Sequence, residues 1–227
     1  MSITRIPNWA KSAKNQDISL LFSDSFKFKS EQKPILFIGG VHGDEPEGVR
    51  LAEELILHLE NSTQKYAPWV LIPCLNPDGY KAKQRTNGNG VDLNRNYPSK
   101  NWSKEFSKDR YYPGPRPGSE PEIQALIQFI KEEQPRLIVH FHSWEPCIVY
   151  AGEPGKVDAK RLSDCSGYEL KDDIGYPTPG SLSAFGWKDL KIPVICIEEQ
   201  EGEKLDTIWS HFAKGLEEIL LDESLRK

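Results

Sequence analysis

The 227 residues are 37% hydrophobic and 28% charged, which suits a globular protein with a sizeable core, and we expect one domain over residues 1–227. A formal charge of −5 offers no basic surface to a phosphate backbone, so a nucleic-acid partner is not expected. No apolar stretch approaches the roughly 20 residues that span a bilayer, and residues 1–17 lack the apolar core of an export signal. We therefore expect a cytoplasmic protein without a membrane anchor, whose four cysteines are reduced.

In the first third of the chain, predicted strands alternate with a predicted helix. A short strand is predicted at residues 18–22, and the apolar run at residues 35–38 predicts a strand that is buried on both faces. Apolar residues at helical spacing predict an amphipathic helix over residues 46–60. A further apolar run at residues 69–75 predicts the next strand, and the sequence NPDG at residues 76–79 predicts a turn after it.

A long segment without periodicity, residues 80–118, separates these elements from the rest of the chain. Loops of such length in a compact domain are usually functional. The remaining predicted elements begin with a helix opened by a capping box at residues 119–122 and a strand at 137–141. They continue with a short helix near 157–166 in otherwise loop-rich sequence, a strand at 193–197 and a closing helix over 205–219.

Alternation of strands and helices predicts an α/β fold of three layers, in which a mixed, mostly parallel central sheet carries helices on both faces.

Polar side chains follow three of the predicted strands. His42 and Glu45 come after the first long apolar run, His142 after the strand at 137–141, and Glu198 after the last strand. Because open α/β sheets bind ligands at the carboxyl ends of their strands, we expect these groups to converge. Two histidines and one glutamate form a known ligand set for catalytic zinc, so His42, Glu45 and His142 are predicted to hold one Zn²⁺ ion. Glu198 is then the candidate general base.

The residues alone leave two choices open. His140 and His142 share one face of a predicted strand, and His142 is favoured as the ligand because it lies nearer the strand end. Glu198 competes with Glu199, since alternation places their side chains on opposite faces of the last strand and the pattern does not identify the face that meets the site.

The long loop also carries a family resemblance. Residues 85–96 read RTNGNGVDLNRN, and together with HGDE at 42–45, NPDG at 76–79 and HS at 142–143 they resemble the ordered motifs of the zinc metallocarboxypeptidases. The resemblance covers residues 35 to about 200 and implies the carboxypeptidase-like version of the α/β fold. It also implies that Asn94 and Arg95 bind the terminal carboxylate of a substrate, which suits the bidentate hydrogen bonding of a guanidinium.

Further roles follow from the same resemblance. Arg85 corresponds to the arginine that stabilises the oxyanion of the tetrahedral intermediate, an effect that is usually a large catalytic term. Tyr176 lies in a segment similar to the one that carries the family's mobile tyrosine, so its loop is predicted to cover bound substrate. Gly180 and Ser181 are expected to shape the specificity pocket.

Within the family, the short chain and the glycine- and proline-rich segment at residues 175–180 look most like the murein peptide amidase branch. The implied function is a zinc-dependent amidase that removes a carboxylate-bearing residue from a small cell-wall peptide at the γ-D-glutamyl–diaminopimelate bond. An N-acyl amino acid deacylase resembling aspartoacylase or succinylglutamate desuccinylase is the alternative enzyme, and a zinc-bearing pseudoenzyme that binds peptides is the alternative from another class. The presence of both Glu198 and Arg85 argues against the pseudoenzyme, because a binding module needs neither.

Overall fold

The computed structural model describes residues 2–221 and places all of its strands in one sheet. In chain order the strands are β1 (Ile3–Lys11), β2 (Asp17–Ser23), β3 (Ile35–Ile38), β4 (Trp69–Ile72), β5 (Leu137–Trp144), β6 (Cys147–Ala151), β7 (Glu169–Lys171) and β8 (Val194–Gln200). Their spatial order is β1-β2-β4-β3-β5-β8-β6-β7. The four central strands, β4-β3-β5-β8, are mutually parallel, while the pairs β1–β2, β2–β4 and β6–β8 are antiparallel. The predicted mixed, mostly parallel sheet is confirmed.

Helices cover both faces of this sheet. They are α1 (Pro46–Asn61), α2 (Pro77–Ala82), α3 (Pro121–Glu133), α4 (Lys156–Ser166) and α5 (Ile208–Leu221). Apolar residues of α1, α4 and α5 form one core with one face of the sheet, and α3 forms a second core on the other face with a short π-helix, Ala184–Asp189. None of the helices within residues 2–221 combines the length and the apolar character needed to cross a membrane.

Strand β1 was not predicted, and its composition explains why. It lies at the edge of the sheet, where its residues are exposed or half-buried without regular alternation, so the sequence shows no strand pattern. Its pairing with β2 shifts register between Ile6 and Ala10, around Pro7. Proline is tolerated at such an edge because its missing N–H costs no hydrogen bond inside the sheet. The edge strand β7 and its neighbour β6, which lies between β7 and β8, were likewise not predicted.

Two predicted local structures differ in detail. Residues 76–79 do not form an isolated turn: Asn76 caps α2, and its side-chain oxygen accepts a hydrogen bond from the Gly79 N–H at 2.9 Å. The predicted capping box at residues 119–122 is wrong, because Glu120 is the N-cap residue of α3 and makes no side-chain cap hydrogen bond. The Ser119 hydroxyl instead donates to the side chain of Glu120 at 2.6 Å.

The strands that carry the candidate site extend beyond their predicted ends. Strand β5 continues through Trp144 and β8 through Gln200, so His142 and Glu198 lie within strands. In the parallel register of β5 and β8, His142 pairs with Glu198. Strand β3 lies on the other side of β5 and leads into the turn that contains His42. Adjacent strands therefore deliver the predicted polar groups to one edge of the sheet.

Candidate active site

His42 and Glu45 lie on a tight turn between β3 and α1. The His42 Nδ1 atom is 2.7 Å from Oε1 of Glu45, and both side chains are buried. Gly43 between them packs against the backbone of α2, where an added Cβ atom would lie 1.9 Å from the carbonyl carbon of Gly79. Only glycine fits at this contact, which fixes the turn and hence the relative position of the imidazole and the carboxylate.

His142 completes a three-residue cluster with this pair. Its Nδ1 atom lies 2.7 Å from Oε2 of Glu45 and 3.0 Å from Nδ1 of His42. The two imidazole nitrogens and the carboxylate therefore face one common point, and the three residues form a group able to hold a metal ion. Two ligand nitrogens at about 2.0–2.1 Å from a tetrahedral zinc ion are separated by roughly 3.3 Å, which is close to the spacing seen here.

Asp92 fixes the orientation of the His42 ring, and sequence reasoning assigned it no role. Its Oδ1 atom is 3.0 Å from Nε2 of His42, and its Oδ2 accepts a hydrogen bond from Nε of Arg85 at 2.9 Å. When Nε2–H of His42 donates to Asp92, the lone pair of Nδ1 points at the cluster, as a metal ligand requires. The position of Asp92, two residues before Asn94 in the family motif, was the available signal.

The electrostatics of the cluster favour a cation. Burial alone would raise the pKa of the Glu45 carboxyl, but the adjacent His42 and His142 imidazoles hold it well below its usual value. Glu45 is therefore ionised, and its charge lies between two histidine nitrogens that accept metal ions. This donor chemistry, with the spacing above, fits a zinc ion.

His140 makes a different contact from His142. Its Nδ1 atom lies 2.8 Å from Nε2 of His142, the nitrogen that faces away from Glu45 and His42. Burial and the neighbouring His142 lower the pKa of His140 well below the usual value for histidine, so the ring is neutral. Of the two histidines, His142 is the one that meets Glu45 and His42.

The two adjacent glutamates of β8 point to opposite faces. Glu198 lines the same cleft as His42, Glu45 and His142, and its side chain accepts a hydrogen bond from the Cys196 thiol at 3.2 Å. Burial raises the pKa of Glu198. Glu199 instead accepts a hydrogen bond from the Tyr168 hydroxyl and lies 2.7 Å from Nδ1 of His211 on α5. The geometry therefore places Glu198, and not Glu199, at the cluster.

Arg85 lies against the cluster, and two nitrogens of its guanidinium donate hydrogen bonds to carboxylates. Besides the Nε contact with Asp92, its Nη1 donates to Oε1 of Glu45 at 3.1 Å. These carboxylates raise the pKa of Arg85 although burial opposes them, so the side chain is a permanent cation. Among the described residues Nη2 of Arg85 has no partner, which leaves it as a donor for a ligand in the cleft.

Asn94 and Arg95 lie in a short 3₁₀ turn, Leu93–Arg95. The Leu182 N–H donates to Oδ1 of Asn94 at 2.9 Å. Because the amide oxygen is engaged in this way, the NH₂ group of Asn94 is the part of the side chain that can donate to a ligand. Arg95 is buried and donates to the Asn94 carbonyl at 2.8 Å. Both side chains line the cleft as hydrogen-bond donors.

Tyr176 lies on the loop that borders the cleft and is 41% exposed. Its ring packs edge-on against Trp144, with 5.4 Å between the centroids. Burial raises the pKa of Tyr176, and the Glu198 charge raises it further while Arg95 and Arg85 act in the opposite direction. The loop therefore places the Tyr176 side chain near the charges of Glu198, Arg85 and Arg95.

The cleft is a single space of about 1210 Å³ that is lined by all of the site residues predicted from the sequence except Gly180. These residues are His42, Glu45, Arg85, Asn94, Arg95, His142, Tyr176, Ser181 and Glu198. Gly180 does not line the cleft, but its carbonyl accepts a hydrogen bond from the Tyr97 N–H at 3.0 Å, which ties the Tyr176 loop to the segment that carries Arg95.

Comparison with known sequences agrees with this geometry. A family profile described as zinc carboxypeptidase matches residues 2–172. Murein peptide amidase A of Escherichia coli (strain K12) is 34% identical over 175 residues, which cover 72% of this chain and 69% of that protein. The carboxypeptidase N catalytic chain of Mus musculus is 31% identical over 161 residues, with 57% of this chain and 35% of that protein covered.

Solved structures show the same likeness. The murein-tripeptide amidase MpaA from Escherichia coli O157 matches with a TM-score of 0.76 and 26% identity over 100% of this chain and 92% of that chain. Carboxypeptidase A from Helicoverpa armigera matches with a TM-score of 0.78 at 20% identity, over 96% of this chain and 66% of that chain, and shares the fold. The resemblance inferred from the motifs is confirmed: this chain belongs to the zinc carboxypeptidase family and is a zinc-dependent hydrolase.

Proposed function

We propose that the protein is an amidase that cleaves a small murein peptide and releases its carboxylate-bearing terminal residue. The substrate we propose is a peptide with a γ-D-glutamyl–diaminopimelate bond. Support comes from two relatives named for murein peptides, of which the chain covers 69% and 92%. The observation that carries the proposal is the meeting of His42, Glu45 and His142 within 3.0 Å in a cleft that Glu198 also lines.

His42, Glu45 and His142 would hold the zinc ion through two Nδ1 atoms and the carboxylate. When bound, zinc supplies Lewis acidity, which polarises an amide carbonyl and lowers the pKa of water. The protein supplies the fixed orientation of these ligands, because Asp92 accepts from His42 and His140 faces the second nitrogen of His142.

Glu198 would take the proton from the attacking water and pass it to the departing amine. Its buried position at the cleft wall, opposite His142 in the strand register, supports this role. Arg85 would donate from Nη2 to the oxygen of the scissile carbonyl as negative charge develops there. Glu198 and Tyr176 lie beyond residue 172, where the family profile ends, and their positions in the wall of the cleft support the two roles.

Asn94 and Arg95 would bind the free carboxylate of the departing residue, with the amide NH₂ and the guanidinium as donors. Tyr176 would close over the bound peptide from its half-exposed loop. A cytoplasmic location is part of the proposal; it is supported by four free thiols that suit a reducing compartment, and cell fractionation tests it.

The test of the proposal is a substrate panel. The purified protein, loaded with zinc, is incubated with L-Ala-γ-D-Glu-meso-diaminopimelate, with the α-linked isomer of that peptide and with N-acetyl and N-succinyl amino acids. We expect release of free diaminopimelate from the γ-linked peptide, loss of this activity on chelation and its return with added zinc. Hydrolysis of the N-acyl amino acids without cleavage of either peptide would instead identify a deacylase.

A further inference from the structure

One tyrosine in the cleft is surrounded by arginines. The guanidinium carbons of Arg85, Arg95 and Arg110 lie 5.3, 5.8 and 5.7 Å from the centroid of the Tyr111 ring. All of these distances fall within the range of cation–π attraction. Tyr111 lines the cleft, whereas no catalytic or binding role for it follows from the motifs of the sequence.

Two of the three arginines have carboxylate partners. Arg85 pairs with Asp92 and Glu45, at 2.9 and 3.1 Å, and Arg110 pairs with Asp44 at 3.0 Å. Their positions are therefore set by ion pairs as well as by the ring. Removal of the ring would leave both guanidinium groups with a charged anchor.

Arg95 differs from the other two. Within residues 2–221 it forms no ion pair, and its one hydrogen bond goes to the carbonyl of the preceding residue, Asn94. Yet its side chain is 7% exposed, so the cation is buried without a carboxylate in contact. The Asp92 carboxylate attracts this guanidinium without forming an ion pair with it, and the ring of Tyr111, 5.8 Å from the guanidinium carbon, supplies an aromatic face that orients it.

We propose that Tyr111 is a positioning residue that holds the Arg95 guanidinium ready for the substrate carboxylate. The inference rests on the proposed function, in which Arg95 binds that carboxylate. A charge left unpaired by the protein attracts the ligand strongly, but only when its donors already point into the cleft. The aromatic face orients Arg95 without neutralising it, which a carboxylate in the same place would do.

The arrangement predicts unequal effects on binding and on chemistry. Loss of the Tyr111 ring releases Arg95 but leaves Arg85 anchored by Asp92 and Glu45. We therefore expect Tyr111→Leu to raise KM for the γ-linked tripeptide roughly tenfold, while kcat falls by less than about threefold. Tyr111→Phe keeps the ring and loses the hydroxyl, so it should retain the KM of the unsubstituted protein.

Tyr112 provides the matched control. It is the next residue along the chain, its ring packs against Phe106, and its side chain lies outside the cleft. Tyr112→Leu removes an aromatic side chain of the same size and should leave KM unchanged. Thermal melting is followed for each variant, and Tyr111→Met replaces Tyr111→Leu if the latter unfolds, because it keeps much of the volume without a π face.

Arg95→Gln separates failure of this inference from failure of the proposed function. If Arg95→Gln leaves KM unchanged, the proposal that Arg95 binds the substrate carboxylate is wrong. If Arg95→Gln raises KM but the folded aliphatic variant of Tyr111 does not, that proposal holds and the positioning role of Tyr111 is wrong. An equal rise in KM for Tyr111→Phe and Tyr111→Leu would assign the effect to the hydroxyl and would also overturn the inference.

Discussion

The Nε2 atom of His142 lies 2.8 Å from Nδ1 of His140, on the side of the ring opposite the metal cluster. Because Nδ1 of His142 faces the cluster, its Nε2 carries the hydrogen and donates to His140. His140 then has its own hydrogen on Nε2, an atom that is buried and without a partner among the described residues. An imidazole thus orients this proposed ligand where a carboxylate, Asp92, orients His42.

From this contact we predict that His140→Ala weakens zinc binding by about 10–100-fold, since groups that orient metal ligands have effects of this size. Competition with a fluorescent chelator measures the affinity. His140→Asn offers an amide oxygen near the position of Nδ1 and should recover most of it. His58→Ala, on helix α1, is the control and should bind zinc normally. Equal affinity in the alanine variant and the unsubstituted protein would contradict the prediction.

The two glutamates of β8 should separate chemistry from stability. Glu198→Gln removes the proposed base and should lower kcat/KM by about 10²–10⁴-fold while zinc remains bound. Glu199→Gln should change turnover little but lower the free energy of unfolding by about 1–3 kcal/mol, because Glu199 is buried and contacts Tyr168 and His211. Steady-state kinetics, zinc content and urea unfolding are measured on both variants. A large catalytic loss in Glu199→Gln with normal turnover in Glu198→Gln would reverse the assignment.

The central sheet was predictable because its strands are continuous apolar runs. The proposed ligands His42, Glu45 and His142 could be predicted as well, since each follows or ends such a run and the family motif orders them. The choice of Glu198 over Glu199 was not available from alternation. It depends on which face of β8 the helix α5 covers, and that is a tertiary contact.

Asp92 and Tyr111, to which the sequence assigned no role, both lie in the long segment at residues 80–118. Asp92 contacts His42, 50 residues away in the chain, and Tyr111 contacts arginines elsewhere in the same segment, which has no periodicity that indicates where a side chain points. Strand β1 escaped prediction for the related reason that an edge strand buries too little apolar surface to show a pattern. Local sequence therefore indicated the proposed ligands, while the groups that contact and orient them became visible only in the fold.

Gly180 should not tolerate a side chain, because it packs against the backbone of Arg95, one of the two residues proposed to bind the substrate carboxylate. Its φ angle is +73°, and an added Cβ atom would lie 2.2 Å from the carbonyl oxygen of Arg95. We expect Gly180→Ala to cost roughly 2–4 kcal/mol of unfolding free energy and to raise KM, since the Arg95 backbone must move. Urea unfolding and steady-state kinetics measure the two effects.

Gly175 is the matched control for this substitution. It lies in the same loop with a φ angle of +96°, but an added Cβ atom would meet nothing within 4 Å. Gly175→Ala should therefore cost only the backbone strain, about 1–2 kcal/mol, and leave KM unchanged. Equal losses of stability and of substrate affinity in the two variants would show that the contact with Arg95 has no influence.

The cysteines should react slowly with thiol reagents, and the rate should rise with pH. Burial raises the pKa of the Cys74 thiol to about 12, and burial together with the Glu198 charge raises that of Cys147 to about 11. At pH 8 their thiolate fractions are then about 10⁻⁴ and 10⁻³, against roughly a quarter for an ordinary thiol. Because pH 8 lies well below both values, each pH unit between 8 and 10 should raise the thiolate fraction and the alkylation rate about tenfold.

Iodoacetamide labelling followed by peptide mapping gives the rate at each cysteine, with urea-unfolded protein as the reference. A rate that reaches its plateau near pH 9 in the folded protein would contradict the raised pKa of these two thiols.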